Sequence, residues 1–397
     1  FRIVPGYSDY YPGVSGSKSY GGRTIEPLPF YARRLGKMWY ELRSMPSQWR
    51  VFRRILLTTY EFHLMFDTSV KGRLHGLRFV LPYFLNPLRC FARREDTRLT
   101  LGSALAARLR MSLADRGVPL WLNTAARRLI VDDGRVTGIE AVKEGKTLTI
   151  QARRGVVFAA GGFERNRAMR EKYQRSPVSD EWTLGNFGNT GDAIRMGLEL
   201  GAALDLMDDA WWMSTTLVPG SELPYMVLVE RSLGGSIMVN SKGRRFTNEA
   251  APYIDVVKAQ YENHSEKCSA IPAFLIVDEN YHRKYPLGPI MPWSSPRKYI
   301  ENGFAEAGAS IRELAVKCGI DPDGLEDEVA SYNRHAENGE DPRFGKGKTG
   351  IERYYSDPSI KPNPCVGPLK RPPFYAMKVW PGDLGTKGGL VTDTRAR

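Results

Sequence analysis

Apolar residues recur in distinct patterns along this 397-residue chain, and each pattern predicts an element. Leucines stand four residues apart over 101–113, which predicts a helix that Gly117 ends. The segment 118–122 then predicts a short strand. Two apolar stretches over 127–142 flank the dipeptide Asp133-Gly134, which predicts a β-hairpin with that dipeptide at its tip.

Two further strands are predicted over 146–160, and the second of them ends on paired glycines. Residues 156–158 have the composition of a buried parallel strand, and Gly161-Gly162 remove every β-carbon from the turn that follows. Such a turn allows another group to approach the backbone closely. Paired glycines also occur in tight turns that bind nothing, so both interpretations remain open on this segment alone.

A cluster of glycines precedes the next predicted helix. Gly185, Gly188 and Gly191 come before an apolar-periodic stretch with Asp192 in its first turn. The N–H groups and the positive end of the dipole at a helix start suit an anionic or polar ligand. An ordinary capped helix is the alternative.

The chain is long enough for two domains, since single cores rarely grow past roughly 250–300 residues. The character of the sequence changes over 211–371. Short strands predicted at 235–240 and 273–278, proline-rich connections and a helix near 323–338 indicate a second domain there. The chain then returns through a strand and a glycine-rich turn over 373–393.

The net charge of +13 is concentrated in one segment. Residues 33–98 contain 14 Lys and Arg against 5 Asp and Glu, and bulky apolar residues alternate with arginine there. No apolar run reaches the roughly 18 residues that a bilayer span needs. The segment predicts either a surface that lies in a lipid headgroup layer or a structural cap on the core. We expect no nucleic-acid partner, because no nucleic-acid-binding motif accompanies the charge.

The cysteines and histidines predict no metal site. Four cysteines lie far apart without a CxxC, and the five histidines never fall four residues apart. This pattern predicts a reduced protein located in the cytoplasm. The basic segment adds a peripheral position on the inner face of the cell membrane as an alternative. Residues 345–350 match G-x-G-x-x-G, but they follow a polar loop, so we reject a dinucleotide site there.

Six segments, in order, resemble those of one enzyme family. They are RLIVDDGRVTGIE (128–140), RRGVVFAAGGFERN (153–166), GNTGDAIRMGLELGA (188–202), GRRFTNEAAPY (243–253), PFYAMKV (373–379) and DLGTKGGLVTD (383–393). Their order carries a resemblance to the FAD-dependent flavoproteins of the fumarate reductase and succinate dehydrogenase family. Within that family the segments are most similar to those of the 3-ketosteroid dehydrogenases.

The resemblance implies an α/β fold in which an incomplete Rossmann-like FAD-binding domain carries an inserted α+β catalytic domain. The FAD-binding domain would comprise 1–210, with the basic insertion at about 33–98, and 372–397; the substrate domain would comprise 211–371. The family's N-terminal strand-GxGxxG-helix and its C-terminal segment have no counterpart here. We therefore expect the chain to be part of a longer flavoprotein.

FAD is the cofactor that the resemblance implies, and it gives the glycine turns a ligand. The turn at 160–162 would approach the adenosine and pyrophosphate, and the turns at 189–192 and 388–389 would lie near the flavin and its phosphate linker. Glycine allows main-chain N–H groups to reach phosphate oxygens. The residues so assigned are Ala125, Ala160, Gly161, Gly162, Asn189, Thr190, Gly191, Asp192, Gly388 and Gly389.

Two tyrosines carry the chemistry that the resemblance implies. Tyr253 matches the family's general base, and Tyr10 matches the tyrosine that assists it. A tyrosine has an ordinary pKa of about 10, so a neighbouring hydroxyl or a positive charge must stabilise its phenolate. Tyr11 and Trp212 are expected to line the pocket for a hydrophobic ketosteroid.

The expected reaction removes a proton beside a ring ketone and passes hydride to the flavin, most simply in 1,2-dehydrogenation of a 3-ketosteroid with an external electron acceptor. Two alternatives belong to the same class: 4,5-dehydrogenation of a ketosteroid and reduction of an unsaturated acid. A third comes from another class, an inactive membrane-associated module that binds lipid and no flavin.

Overall fold

The structure is a computed structural model that describes residues 1–91, 95–292 and 294–396. By packing, the chain divides into two compact units. The first unit comprises Phe1–Met111 and Met213–Gly382, and the second comprises Ser112–Trp212 and the residues from Asp383 on.

Strands of both units are numbered here in chain order. They are β1 (Arg2–Pro5), β2 (Gly21–Glu26), β3 (Phe30–Tyr31), β4 (Arg98–Leu99), β5 (Thr124–Asp132), β6 (Arg135–Lys143), β7 (Lys146–Gln151), β8 (Leu204–Asp205), β9 (Ala210–Thr216), β10 (Tyr225–Met226), β11 (Ser236–Val239), β12 (Ala273–Asp278), β13 (Ala305–Gly308), β14 (Phe374–Thr386) and β15 (Gly389–Leu390).

Helices are numbered in the same way. They are α1 (Thr59–Leu64), α2 (Val70–Phe84), α3 (Pro87–Cys90), α4 (Leu101–Asp115), α5 (Arg167–Tyr173), α6 (Asp192–Leu198), α7 (Tyr253–Asn263), α8 (Glu279–His282), α9 (Arg297–Glu301), α10 (Ile311–Cys318), α11 (Pro322–Ala336) and α12 (Gly350–Tyr354). Two 3₁₀ helices span Ala32–Glu41 and Ser47–Trp49.

The first unit is built on a largely antiparallel sheet with the strand order β10-β9-β14-β12-β11, and β13 also pairs with β14. Side chains of β12 alternate between two apolar clusters, because successive residues of a strand point to opposite faces. Leu275 and Val277 belong to one cluster, and Phe274 and Ile276 belong to the other, which also includes apolar residues of α10 and α11. The strand is therefore buried on both faces, which explains its continuous apolar sequence.

The second unit contains the antiparallel meander β5-β6-β7 and the pair β8-β15. At the tip between β5 and β6, Asp133 and Gly134 have φ angles of 46° and 71°. Positive φ at both positions is what a type I′ hairpin turn requires, so the predicted hairpin is confirmed. The unit has a small apolar core that contains Phe163, Met169, Ile194 and Met207.

Other predicted elements are also present. The leucine stripe lies on α4, and Gly117, with φ 63°, follows the helix end. The helix predicted after the glycine cluster is α6, which begins at Asp192, and the one predicted near 323–338 is α11. The architecture is mixed α/β.

Two predicted strands are wrong. Over the described residues, neither 118–122 nor 156–158 is paired in a sheet, and Val157 is 88% exposed. An apolar run predicts burial, but only pairing with a neighbouring strand satisfies the backbone groups of a strand.

The basic segment 33–98 divides by burial. Its first part is a structural cap, because Leu35 and Leu56 pack with Phe30 and with Ala104 and Ala107 of α4. Its second part, with α2 and α3, exposes many apolar residues. Residues 92–94, which belong to the predicted segment, lie outside the described residues. In the part of the chain that the structure describes, no helix has the length and apolar character needed to cross a bilayer.

The compact units are divided differently from the predicted domains. Residues 1–111 cluster with 213–382, whereas the sequence assigns 1–210 to FAD binding. A compact unit is defined by packing and a domain by its function. The domain assignment therefore stays a prediction.

Candidate active site

A group of tyrosine hydroxyls lies in the first unit. The hydroxyl of buried Tyr7 lies 2.5 Å from that of Tyr10 and also forms a short hydrogen bond with the hydroxyl of Tyr355. The hydroxyls of Tyr10 and Tyr355 are 3.4 Å apart. We call these three residues the tyrosine cluster. Each hydroxyl can donate and accept, so one proton can be shared along the cluster.

Tyr253 meets the cluster through Tyr10. It is the first residue of α7 and follows Pro252. Its ring packs edge-on against the Tyr10 ring, with centroids 5.3 Å apart and 80° between the planes. The structure therefore brings together the two tyrosines that the sequence assigns to catalysis.

Most of the surroundings of these tyrosines oppose ionisation, although the hydrogen bond with Tyr355 lowers the pKa of Tyr10. Burial raises the pKa of Tyr253 to about 12, and the neighbouring Tyr10 adds to this increase. Burial also raises the pKa of Tyr10. The positive charge of Arg231 lowers the pKa of both phenols. Both are therefore protonated at neutral pH in these surroundings, and Arg231 favours the phenolate.

The two residues expected to line the substrate pocket lie in different units. The Tyr11 hydroxyl donates to Oδ1 of Asp255, in the first turn of α7, at 3.3 Å. Trp212 is buried in the second unit, where its Nε1 donates to Oδ1 of Asp209 at 2.9 Å. Tyr11 thus contacts the helix turn that Tyr253 begins, and Trp212 is held in place by its own unit.

The paired glycines of the second unit pack against polar side chains of that unit. A β-carbon on Gly162 would lie 2.1 Å from Oγ1 of Thr386, and one on Gly161 would lie 2.4 Å from Oδ1 of Asn189. Buried Glu164 joins these partners, because it accepts from Asn189 Nδ2 at 2.6 Å and from Thr386 Oγ1 at 3.3 Å. Glycine is therefore required here first by the packing of the protein itself. We call these five residues the glycine-turn network.

The start of α6 adjoins this network. Gly191 has a φ angle of 77°, and its N–H donates to the Gly162 carbonyl at 3.0 Å. A β-carbon on Gly191 would lie 2.5 Å from Sδ of Met169. Thr190 Oγ1 donates to Oδ2 of Asp192 at 3.0 Å. The turns at 161–162 and 189–192, predicted to bind one cofactor, are thus in direct contact.

A buried ion pair anchors the network. Nη1 of Arg170, on α5, lies 2.7 Å from Oδ2 of Asp383, on β14, and neither side chain is exposed. Oγ1 of Thr183 donates to Oδ1 of Asp383 at 2.6 Å. The pair fixes β14 three residues before Thr386, so the position of Thr386 depends on it.

The remaining predicted cofactor residues differ in their surroundings. A β-carbon on Gly388 would lie 2.4 Å from Cα of Met207, whereas one on Gly389 would meet nothing within 4 Å. Ala125, on β5, and Ala160 are exposed. A backbone that is exposed and carries at most a methyl group leaves room for a ligand to contact N–H and C=O groups. These residues therefore fit a dinucleotide such as FAD.

The guanidinium of Arg245 is already paired with carboxylates of the protein. This buried guanidinium donates to both oxygens of Glu249, at 2.6 and 2.8 Å, and to both oxygens of Asp341, at 3.0 and 2.9 Å. An arginine already paired in this way with two carboxylates does not hold a dicarboxylate substrate.

Sequence reasoning missed several of these residues. Tyr7 stands three positions before Tyr10, and Tyr355 lies in a Tyr-Tyr pair, so the repeated tyrosines were a usable signal. Glu164 and Thr386 lie in segments already singled out for their glycines. Arg231 had no signal, because nothing in the sequence brings it near Tyr253.

Comparisons with known proteins indicate the family to which the chain belongs. A family model described as FAD binding domain matches residues 7–397. A 3-oxosteroid 1-dehydrogenase from Mycolicibacterium smegmatis is 40% identical, over 99% of this chain and 70% of that protein. A 4-oxocyclohex-2-ene-1-carboxylate 5-dehydrogenase from Sinomonas cyclohexanicum is 32% identical, over 97% of this chain and 66% of that protein. The crystal structure of a 3-ketosteroid Δ1-dehydrogenase from Sterolibacterium denitrificans, in complex with 1,4-androstadiene-3,17-dione, matches with a TM-score of 0.95 and 41% identity. It covers 100% of this chain, which spans 72% of that one.

Proposed function

This chain belongs to the FAD binding domain family, and we propose that it acts as an FAD-dependent 3-ketosteroid Δ1-dehydrogenase. The observation that carries the proposal is the contact of Tyr10 with Tyr253 in a chain 40% identical to a 3-oxosteroid 1-dehydrogenase over nearly its whole length. FAD, when bound, accepts the hydride. Gly161, Gly162, residues 189–192 and residues 388–389 would hold it, together with the exposed backbone at Ala125 and Ala160.

The tyrosines of the first unit handle the proton. The Tyr253 oxygen takes a proton from the carbon beside the ring ketone, and the Tyr10 hydroxyl assists by supporting the negative charge of the phenolate. Because Tyr10 is hydrogen-bonded to Tyr7 and Tyr355, the proton has further oxygens with which it can be shared. Tyr11 and Trp212 are assigned to the hydrophobic ketosteroid, and an external acceptor reoxidises the cofactor.

A product analysis tests this function. Purified flavin-loaded enzyme is incubated with a saturated 3-ketosteroid and with a 4-ene-3-ketosteroid in the presence of an artificial electron acceptor. We expect a new double bond at the 1,2 position of both. A double bond at the 4,5 position, or no reduction of the acceptor with either steroid, would contradict the proposal.

The domain assignment follows from the same proposal. We assign 1–210 and 372–397 to a Rossmann-like FAD-binding domain, with 211–371 as the inserted α+β substrate domain. The glycine-turn network, which joins Gly161, Gly162, Glu164, Asn189 and Thr386 in one compact unit, supports the first part of this assignment.

We also propose that α2 and α3 rest on a membrane surface. Eight apolar residues of this stretch, most of them three or four positions apart, are 53–82% exposed, whereas Tyr83 of α2 is buried. They are Val70, Leu74, Leu77, Leu81, Phe84, Leu85 and Leu88, with Phe91 directly after α3. Lys71, Arg73 and Arg78 are exposed on the same helix. An apolar face with adjacent cations fits an anionic lipid surface. This observation supports the peripheral location that the sequence predicts.

Co-sedimentation with vesicles tests this contact. We expect the enzyme to bind vesicles that contain anionic phospholipid, and the double variant L77E/L81E to remain in the supernatant while it keeps its flavin. Val316, which is exposed on α10, provides the matched control, since V316E changes an exposed apolar residue outside this face. Equal binding of L77E/L81E and V316E would contradict the proposal.

A further inference from the structure

Arg231 differs in its hydrogen-bond partners from the other buried arginines described above. It is 1% exposed, and its guanidinium donates only to main-chain oxygens: Nε to Val227 at 3.2 Å, and Nη1 to Ala251 at 2.8 Å and to Glu249. Over the described residues it has no carboxylate partner. A buried charge that is not paired is costly, so its position calls for an explanation.

Two other buried arginines, one in each compact unit, make the contrast clear. Arg245 is paired with the carboxylates of Glu249 and Asp341, and Arg170 is paired with that of Asp383. Their charges are neutralised where they stand. The charge of Arg231 is not, so its field acts on the polar groups around it.

The groups that face Arg231 are mainly those of the tyrosine site. The charges that interact with it belong to Tyr10, Tyr355, Glu230 and Glu249, and Arg231 in turn acts on Tyr253. The Glu249 side chain is already paired with Arg245. Glu230 makes no ion pair with Arg231 over the described residues. Burial raises the pKa of Glu230 to about 7, and the charge of Arg231 acts against this increase. The phenol oxygens are therefore, together with the Glu230 carboxyl group, the groups whose negative form this cation favours.

Arg231 is also connected to Tyr253 through the backbone. The carbonyl groups that it holds belong to Glu249 and Ala251, four and two residues before Tyr253. Pro252 follows directly, and α7 begins at Tyr253. One side chain therefore both fixes the turn that carries the base and supplies a positive charge near it.

We propose that Arg231 is a positioning residue that stabilises the phenolate of Tyr253 for proton abstraction, an inference that rests on the proposed function. In that step the proton moves from the carbon beside the ketone to the Tyr253 oxygen, and the negative charge moves from the phenolate to the substrate. A fixed cation in a buried site increases the fraction of Tyr253 that begins as phenolate. A lower pKa also makes the phenolate a weaker base, but this loss is smaller than the gain in the phenolate fraction. The rate of proton abstraction at neutral pH therefore increases.

Two substitutions separate charge from hydrogen bonding. Arg231→Gln keeps N–H donors and removes the charge, whereas Arg231→Lys keeps a charge and loses the planar pair of donors. An opposite charge nearby shifts a pKa by about 1–3 units, so we expect R231Q to lower kcat about 10- to 100-fold with little change in KM. We expect R231K to recover a large part of this loss. A larger loss in R231K than in R231Q would overturn the proposal.

A double-mutant cycle excludes a role in folding alone. In a Tyr253→Phe background no phenolate remains at position 253, so R231Q should lower the residual kcat less than about threefold. An equal loss in both backgrounds would overturn the proposal. Flavin content and thermal midpoint are measured for each variant, and Arg312→Gln serves as the control, because Arg312 is exposed and paired with Asp323 and Glu326.

Deuterium uptake distinguishes this inference from the proposed function. In D₂O, exchange at the carbon beside the ketone reports proton abstraction separately from hydride transfer. Exchange that is slow in R231Q and normal in R312Q is the expected result. A wild-type enzyme that neither exchanges nor oxidises a ketosteroid would overturn the proposed function and this inference together, whereas normal exchange in R231Q would overturn the inference alone.

Discussion

The tyrosine cluster with Tyr253 and the glycine-turn network use buried polar groups in opposite ways. In the first unit, hydroxyl groups hydrogen-bond mainly to one another, and the nearby cation Arg231 has no carboxylate partner over the described residues. In the second unit, Glu164 accepts from Asn189 and Thr386. The first arrangement leaves protons that can move, and the second leaves a fixed scaffold. Substitutions should therefore affect turnover in one region and stability with flavin retention in the other.

Replacement of Tyr253 should have the largest effect of all and should leave the fold unchanged. Tyr253→Phe keeps the ring that packs against Tyr10 and removes the oxygen that accepts the proton. General-base catalysis contributes about 10²- to 10⁴-fold, so we expect kcat to fall by that factor, with an unchanged thermal midpoint and flavin content. Turnover assays and thermal denaturation measure the two effects.

The pH profile sharpens this prediction. Because the pKa of Tyr253 is raised to about 12, the phenolate fraction increases tenfold with each pH unit below that value. In the wild-type enzyme kcat/KM should therefore increase between pH 7 and pH 9, and this increase should be absent from Tyr253→Phe. An identical slope in both proteins would assign the base to another residue.

Loss of the buried ion pair should have the largest effect on stability. Asp383→Ala leaves the Arg170 guanidinium without its carboxylate in a site that excludes water. Removal of one partner from a buried pair costs about 3–5 kcal/mol in the free energy of unfolding, and we expect the variant to lose its flavin. Urea denaturation and flavin absorbance measure these effects. The exposed pair of Arg297 and Glu301 is the control, and E301A should change stability by less than about 1 kcal/mol.

The sequence predicts some residues of the two regions and not others, depending on whether a sequence pattern marks them. The positions of Tyr10 and Tyr253 were assigned through the resemblance to the family, and the structure places their rings in contact. Their roles stay predictions. The sequence analysis requires a hydroxyl group or a positive charge beside the phenolate. It does not identify Arg231, because this residue is held near Tyr253 by main-chain oxygens that no sequence pattern marks.

A single methyl group should disturb the glycine-turn network. In Gly162→Ala the new β-carbon would lie 2.1 Å from Oγ1 of Thr386, so Thr386 must move and its hydrogen bond to Glu164 must weaken. Overpacking of this kind costs about 1–3 kcal/mol, and flavin affinity should fall with it. Gly102→Ala, on α4 and outside the proposed flavin site, is the matched control, because its β-carbon would meet nothing within 4 Å. Equal flavin affinity in both variants would show that Thr386 does not shape the site.

The same two regions explain which elements the sequence predicted correctly. The tip at Asp133-Gly134 and the alternation of β12 are local signals, since turn residues and side-chain spacing act within a few positions. The segments 118–122 and 156–158 are apolar, but a strand also needs an edge to pair with, which a local pattern does not contain. The reason for Gly162 was likewise out of reach, because its partner Thr386 lies more than 220 residues away in the chain.

The smallest effect should come from Tyr10→Phe, which tests whether the cluster assists Tyr253 through its hydroxyl group. The variant keeps the ring contact at 5.3 Å and loses the hydrogen bonds to Tyr7 and Tyr355. A hydrogen bond contributes about 0.5–1.5 kcal/mol, so kcat should fall about 3- to 10-fold while stability changes little. Tyr20→Phe, at a highly exposed tyrosine, should change neither quantity. If Tyr10→Phe lowers kcat as much as Tyr253→Phe does, the Tyr10 hydroxyl does more than assist, and the assignment of Tyr253 alone as the base is wrong.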